Sequence, residues 1–389
     1  MSFNEEGLTP VVDVQGTCDA RFEPVRDMLA GQLDSGNDTG ASIAVDVDGR
    51  TVADLWGGWC DEEHRTPWTE NTITNVWSTT KTVTNVAALM LADRGLLDPY
   101  APVAKYWPEF AENGKERIEV RHILSHTSGV SGWEAPFTIE DMYDRDAATR
   151  QLATQAPWWE PGTASGYHAQ NQGHLVGELV RRLSGKPLKT FVAEEIAGPL
   201  GADFQIGAIE ADWDRIAPVT PPPPLPFDLA SLDPDSPVYK TFTGPVADAG
   251  AANTPAWRRA ELGALNGHGN ARSVARILRV LALGGTAGGV RLLSPDAIGL
   301  IFDEQSHGPD LVLGVPLRFG IGYALPETET VPYIPQGRAC YWGGWGGSVI
   351  LMDLDARTTI SYMMNKMGPG IIGSDRSEAY VRAIQGCLT

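Results

Sequence analysis

Lysine is scarce in this chain: 389 residues carry seven, and all Lys plus Arg number 30 against 49 Asp plus Glu, a net charge of -19. Such an acidic surface repels phosphate backbones and anionic bilayers, which argues against nucleic-acid and membrane partners. Cysteine is scarce too. Cys18, Cys60, Cys340 and Cys387 are too few to staple a chain of this length and too far apart for the CxxC spacing of a zinc site, so free thiols in a reducing compartment are expected. No uncharged apolar run approaches the length that spans a bilayer, and Met1 to Ala30 shows no basic start followed by an apolar stretch. The expectation is a cytoplasmic protein without an export signal.

Two catalytic signatures are also missing. No Gly-x-Ser-x-Gly occurs, which counts against an α/β-hydrolase with a nucleophile elbow. The seven histidines, among them His64, His122, His174, His268 and His307, show no HExxH and no close pairing, so neither a metal nor a cofactor is expected.

What is present is ordinary globular composition, 42% hydrophobic and 20% charged, enough for one large domain with an insertion or two closely packed domains. Residues 20 to 33 read as a helix. Two β-rich runs follow around Asp48-Gly49, a dipeptide suited to the positive φ angles of a tight hairpin. After Ser78, Val83, Val86, Ala87, Met90 and Leu91 recur at helical spacing, with Gly95 as a stop. Val176, Leu179, Val180 and Leu183 mark another helix ahead of Gly185 and Pro187.

Between about 201 and 256, Pro218, Pro221 to Pro224 and Pro226 exclude regular structure, so an extended excursion is expected, with an interdomain linker as the alternative. Helical patterning resumes at Ala271 to Leu283. Two strand-like runs, Ser348 to Asp353 and Thr358 to Asn365, then precede a last helix near 375 to 386. Strands at both ends with helices between them suggest an α+β fold: one antiparallel sheet built from the two termini, flanked by terminal helices, with a mainly helical insertion. The division expected is 1–85 plus 271–389 for the sheet domain and 86–270 for the helical one.

Ser78-Thr79-Thr80-Lys81 places a hydroxyl and an amine three residues apart, on one face of a helix. Serine needs a base, and a desolvated Lys can act as one. With 18 Ser and seven Lys, chance predicts about 0.3 such pairs, so the motif alone equally describes a capping Ser beside a solvated Lys. Its company raises it: Tyr167-His168-Ala169 stands ahead of a helix, and Trp342-Gly343-Gly344-Trp345-Gly346-Gly347-Ser348 leads into a strand.

In that order the three elements resemble the serine β-lactamase and penicillin-binding protein superfamily, whose pattern is Ser-x-x-Lys, then Tyr-x-Asn or Ser-x-Asn, then Lys/His-Thr/Ser-Gly. The resemblance is closest to the class C branch and to the family VIII carboxylesterases. Leu124-Ser125-His126-Thr127-Ser128-Gly129, Pro161-Gly162-Thr163 and Gly177-Glu178-Leu179-Val180 extend it over most of the chain. It implies the β-lactamase/DD-peptidase-like fold and an acyl-enzyme route. Ser78 would attack a carbonyl, Lys81 and Tyr167 would shuttle its proton, and the oxyanion would sit between the backbone N–H groups of Ser78 and Trp345.

Two departures refine the expected chemistry. Trp342 stands where lactam-binding relatives carry Lys or His, and Ala169 stands where they carry Asn, unless Asn171 substitutes. A site with an aromatic wall and no carboxylate clamp suits neutral esters better than penicillins. The pocket expected from position comprises Trp342, Gly343, Gly344, His168 and Asn171, the glycines admitting substrate close to the strand edge; the same glycines also fit a bulged strand. The function expected is hydrolysis of short-chain neutral carboxylic esters, small molecules being the partners, with little β-lactamase activity.

Other readings stay open at this level. The same acyl-enzyme serves acyl transfer or the hydrolysis of a small amide or β-lactam, and the fold also serves a non-catalytic binding protein. His126, beside Ser125 and Ser128, could hide a conventional triad, though the resemblance places it outside the chemistry. The proline-rich excursion reads as a cleft wall or lid, or as a polyproline ligand for another protein. Oligomeric state is not legible.

Overall fold

The computed structural model describes residues 13–224 and 229–388. The start of the stretch read for an export signal, residues 1–12, and Pro226 of the proline-rich excursion lie outside the described residues.

A six-stranded antiparallel sheet runs in the spatial order Gln15–Cys18, Arg50–Gly58, Gly40–Val47, Thr358–Met364, Val349–Asp353, Ala339–Gly343. Its central pair, Gly40–Val47 against Thr358–Met364, joins the two ends of the chain through partners such as Ile43 with Tyr362 and Val45 with Ile360. The expected hairpin closes on Asp48 and Gly49 with φ of 55° and 80°, the positive values a two-residue type I′ turn demands.

Alternation along these strands fills two cores. Ile43, Val45, Leu351, Ile360 and Tyr362 face one side, against Val25, Leu29 and Leu33 of the Glu23–Asp34 helix and Val381 and Ile384 of the Asp375–Leu388 helix. Ala44, Ile350, Met352 and Met363 face the other, against Val274, Ile277, Leu278 and Leu281 of the Ala271–Ala282 helix. This is the α+β architecture expected from strands at both termini.

The helix after Ser78 spans Thr80–Asp93, and Gly95 follows it at φ 69°. A one-sided apolar stripe was expected, yet every residue from Thr80 to Leu91 is buried. Its polar residues tolerate this because each finds a carbonyl: Thr82 bonds Thr79 at 2.7 Å, Thr84 bonds Gly263 at 2.6 Å and Asn85 bonds Gly322 at 2.5 Å. The helix packs beside Gln172–Ser184, which ends on the left-handed Gly185.

The described residues of the 201–256 stretch include short helical turns, Glu210–Arg215 and Pro237–Thr243 among them. The prolines are tied down by Thr220, whose N–H donates to the Asn365 carbonyl at 2.9 Å and whose carbonyl accepts from Met367 at 3.0 Å. All four cysteines are free, and among the described residues no helix is long and apolar enough to cross a membrane.

Candidate active site

Ser78 stands on the turn that enters the Thr80–Asp93 helix, preceded by Trp77 at φ 51°, a left-handed value that costs a bulky residue free energy. The Lys81 N–H donates to the Ser78 carbonyl at 3.0 Å and brings Lys81 round beneath the hydroxyl. Lys81 Nζ lies 2.9 Å from Ser78 Oγ, 2.7 Å from the Ala169 carbonyl and 3.0 Å from the Ala264 carbonyl. The side chain is buried, no described carboxylate pairs with it, and desolvation holds its pKa well below the usual lysine value. A neutral amine has two hydrogens and one lone pair. Both carbonyls can only accept, so the hydrogens go to them and the lone pair faces the Ser78 hydroxyl.

Tyr167 completes the group. Lys81 Nζ lies 4.8 Å from its ring centroid, and its hydroxyl takes the indole N–H of Trp342 at 3.0 Å. Burial pushes the phenol pKa up, against the opposing pull of the Ser78 and Trp342 contacts. The two environments thus drive the titrations apart, the amine down and the phenol up, favouring a free amine on Lys81 and a protonated phenol on Tyr167. The backbone of Tyr167 is anchored by Asp310, whose Oδ1 also accepts from Val312 and Leu313, all within 3.0 Å. Asp310 carries no motif and sequence reasoning missed it.

Above these groups opens a cavity of about 680 Å³ lined by Ser78, Tyr167, Trp77, Trp257 and Trp345 together with Pro221 to Pro224 and apolar side chains such as Phe242, Leu313 and Ile371. Its polar additions are Gln170, Asp248 and Thr330, and no described lining residue is Lys, Arg or His. The proline run therefore walls the cleft. Gln170, whose Nε2 donates to the Pro245 carbonyl at 2.8 Å, is a lining residue the motif reading passed over in favour of its neighbour.

That neighbour and four other expected pocket residues lie behind the wall. Asn171 is fully buried, with its amide nitrogen on the Val130 carbonyl at 2.9 Å. His168 is equally buried, held between the Gly166 carbonyl at 2.8 Å and Ser128 Oγ at 2.6 Å, and burial pushes its pKa down to about 3. Trp342 turns its indole to Tyr167 instead of presenting a wall. Gly343 and Gly344 do not line the cavity either: a Cβ on Gly343 would meet the Ser348 carbonyl at 2.6 Å, and one on Gly344 would meet the Val76 carbonyl at 2.5 Å. Their smallness lets the strand end dock against the turn that carries Ser78, where substrate access was the expected reason. His126 takes the His168 N–H on Nδ1 at 3.1 Å and sets its ring edge-on to Tyr167 at 4.9 Å, so its contact is with the phenol ring.

Two backbone amides belong to residues that line the cavity. The N–H groups of Ser78 and Trp345 donate to no other described residue, and Trp345 packs edge-on to Trp77 at 5.2 Å between ring centroids. Nucleophile, buried amine, phenol and paired donors can together perform acyl transfer through serine.

The fold and this arrangement define a serine hydrolase of the β-lactamase type. A family model described as Beta-lactamase matches residues 25–383, and the chain belongs to that family. It is 32% identical over 375 residues to the Esterase/beta-lactamase LipL of Mycobacterium tuberculosis, covering 94% of this chain and 86% of that protein. A crystal structure of a family VIII carboxylesterase superposes with a TM-score of 0.90 at 38% identity, over 96% of this chain and all of that one. A penicillin-binding protein homologue from Caulobacter crescentus gives 0.88 at 35% identity, with 96% of this chain and 100% of the other covered.

Proposed function

We propose that this protein is a serine carboxylesterase that hydrolyses short-chain, neutral carboxylic esters through an acyl-enzyme on Ser78, with little β-lactamase activity. The observation that carries the reading is the contact between Ser78 Oγ and the Lys81 amine, which pairs with no described carboxylate, beneath a largely apolar cavity with no cation among its described lining residues.

In this reading Lys81 takes the Ser78 proton as Oγ attacks the ester carbonyl. The oxyanion forms between the Ser78 and Trp345 N–H groups, and Tyr167, a phenol at neutral pH, protonates the departing alkoxide. The Lys81 ammonium returns its proton to the Tyr167 phenolate; water then attacks the acyl carbon, its hydroxyl leaving with the acid and its proton restoring the Ser78 hydroxyl. A penicillin carboxylate finds no cation on the described walls, only Asp248, which repels it. The relatives named as esterases support the same substrate class, and four free thiols support a reducing compartment such as the cytoplasm.

Turnover of p-nitrophenyl butyrate tests the reading. Ser78→Ala is expected to abolish it, and a variant that keeps the wild-type rate overturns the proposal. Benzylpenicillin hydrolysed as fast as the ester would remove the argument from a cavity without a described cation.

A further inference from the structure

The turn that presents the Trp345 amide is held from behind by a buried ion pair. Gly344 to Gly347 closes with the Gly347 N–H donating to the Gly344 carbonyl at 3.0 Å, and Gly346, third in the turn, has the φ of 93° that a type II turn requires there. Trp345 is second, a position whose N–H such a turn leaves unbonded. The turn's own bond does not fix how that N–H points relative to Ser78. Outside contacts do. The Gly346 N–H donates to the Gly370 carbonyl at 2.8 Å, while the Gly346 carbonyl accepts from the Gly368 N–H and from Arg376 Nη2, each at 2.8 Å.

Arg376 is oddly placed for a cation. It lies in the first turn of the Asp375–Leu388 helix, where the helix dipole disfavours positive charge. Its side chain is nonetheless buried, with Nη1 on Asp38 Oδ1 at 2.5 Å and further bonds to the Asn37 and Lys366 carbonyls at 3.0 Å. Asp38 is itself 1% exposed and accepts from the Tyr362 hydroxyl at 2.6 Å and the Tyr380 hydroxyl at 3.3 Å. Replacing such a pair by apolar residues is often neutral or stabilising, so fold stability alone is weak ground for it.

We propose that Arg376, locked in place by Asp38, is a positioning residue for the oxyanion turn: through the Gly346 carbonyl it fixes the direction of the Trp345 N–H. The inference rests on the acyl-enzyme reading above. An N–H displaced by about 1 Å loses much of its hold on the developing charge while leaving ground-state contacts with the apolar walls intact. Loss of Arg376 therefore acts on kcat more than on KM.

The test compares Arg376→Lys and Arg376→Met with wild type, measuring kcat per fluorophosphonate-titrated Ser78, KM, and inhibition by a trifluoromethyl ketone whose adduct oxygen occupies the oxyanion position. The expected result is a fall in kcat of about 10- to 100-fold, KM within about twofold, and inhibitor affinity falling in parallel with kcat. A purely structural role lowers the titrated fraction and Tm but leaves kcat per site and inhibitor affinity at wild-type values; that result overturns the proposal. If neither Arg variant folds, Asp38→Asn, which keeps the shape and the Tyr362 bond, is expected to show the same pattern at about fivefold, and unchanged values there overturn it equally. Ser78→Ala separates the two layers: retained turnover in that variant sinks the acyl-enzyme reading and the positioning role with it, whereas a dead Ser78→Ala beside unaffected Arg376 and Asp38 variants sinks the positioning role alone.

Discussion

The indole N–H of Trp342 donates to the Tyr167 hydroxyl at 3.0 Å, joining two of the three motifs across 175 residues of sequence. Where lactam-binding relatives hold a cation, this chain points a neutral donor at the phenol oxygen. A donor favours the phenolate, so it tempers the upward push of burial on Tyr167. Trp342→Phe keeps the ring and removes the donor. We expect kcat to fall about tenfold with little change in KM, measured with p-nitrophenyl butyrate at neutral pH.

Lys81 is expected to act as a free amine. Lys81→Arg puts a permanently protonated guanidinium in place of the free amine, which cannot accept the Ser78 proton, so acylation should fall by a factor of about 10² or more, read as the burst rate with a chromogenic ester. Stability gives an independent sign. Burial holds the folded-state pKa below the unfolded value, so between the two the unfolded chain binds the extra proton and stability rises with pH. Lys81→Met should flatten that rise and increase Tm at neutral pH, as thermal melts at pH 7 and pH 9 would show.

Gly344→Ala introduces a methyl 2.3 Å from Ser348 Oγ and 2.5 Å from the Val76 carbonyl. The Val76 carbonyl with the Trp77 Cβ and the Ser348 hydroxyl leave it nowhere to go. The variant should lose about 1–3 kcal/mol of stability in urea titrations and lose activity as well, because the strand end must retreat from the turn bearing Ser78. Normal stability and activity in this variant would return the glycine to the substrate-access role.

Asp310→Ala removes the acceptor of three N–H groups, one of them that of Tyr167. Bonds to a charged acceptor contribute more than neutral ones, and a loss of about 2–3 kcal/mol is expected. Asp310→Asn retains an accepting oxygen and should recover most of the stability and rate, which a comparison of the two variants by calorimetry and ester turnover will decide.

Local patterns in the sequence were a reliable guide to this molecule. The Asp48-Gly49 hairpin, the Thr80–Asp93 helix and the two late strands each follow from contiguous residues, and Ser78 with Lys81 follows from one helical turn. Long-range pairing was not legible in the same way. The position of Trp342 was evident, but its role depends on a partner far along the chain, so a donor was taken for a wall. Gly343 and Gly344 were noticed for their smallness, yet what presses against them is backbone from residues 76 and 348. Asp310 stands in a stretch with no periodicity and no motif. The short strands Thr74–Asn75, Gln205–Ile206 and Gly267–Gly269 form a sheet of their own, with too few residues each to show an alternation.

The cavity walls and the reacting groups come from different kinds of structure. Ser78 and Lys81 are built around a fully buried helix that the surrounding protein grips on every side, whereas the walls come largely from the 221–249 excursion and from segments near 312–315 and 369–372. Substitutions among the described residues of the 221–249 excursion reshape what can enter without touching the groups that react, whereas the other two segments also hold Asp310 and the Trp345 turn. A scaffold divided in this way can change its diet by exchanging surface segments alone, so selection on substrate range and selection on chemistry can proceed along separate stretches of the same gene.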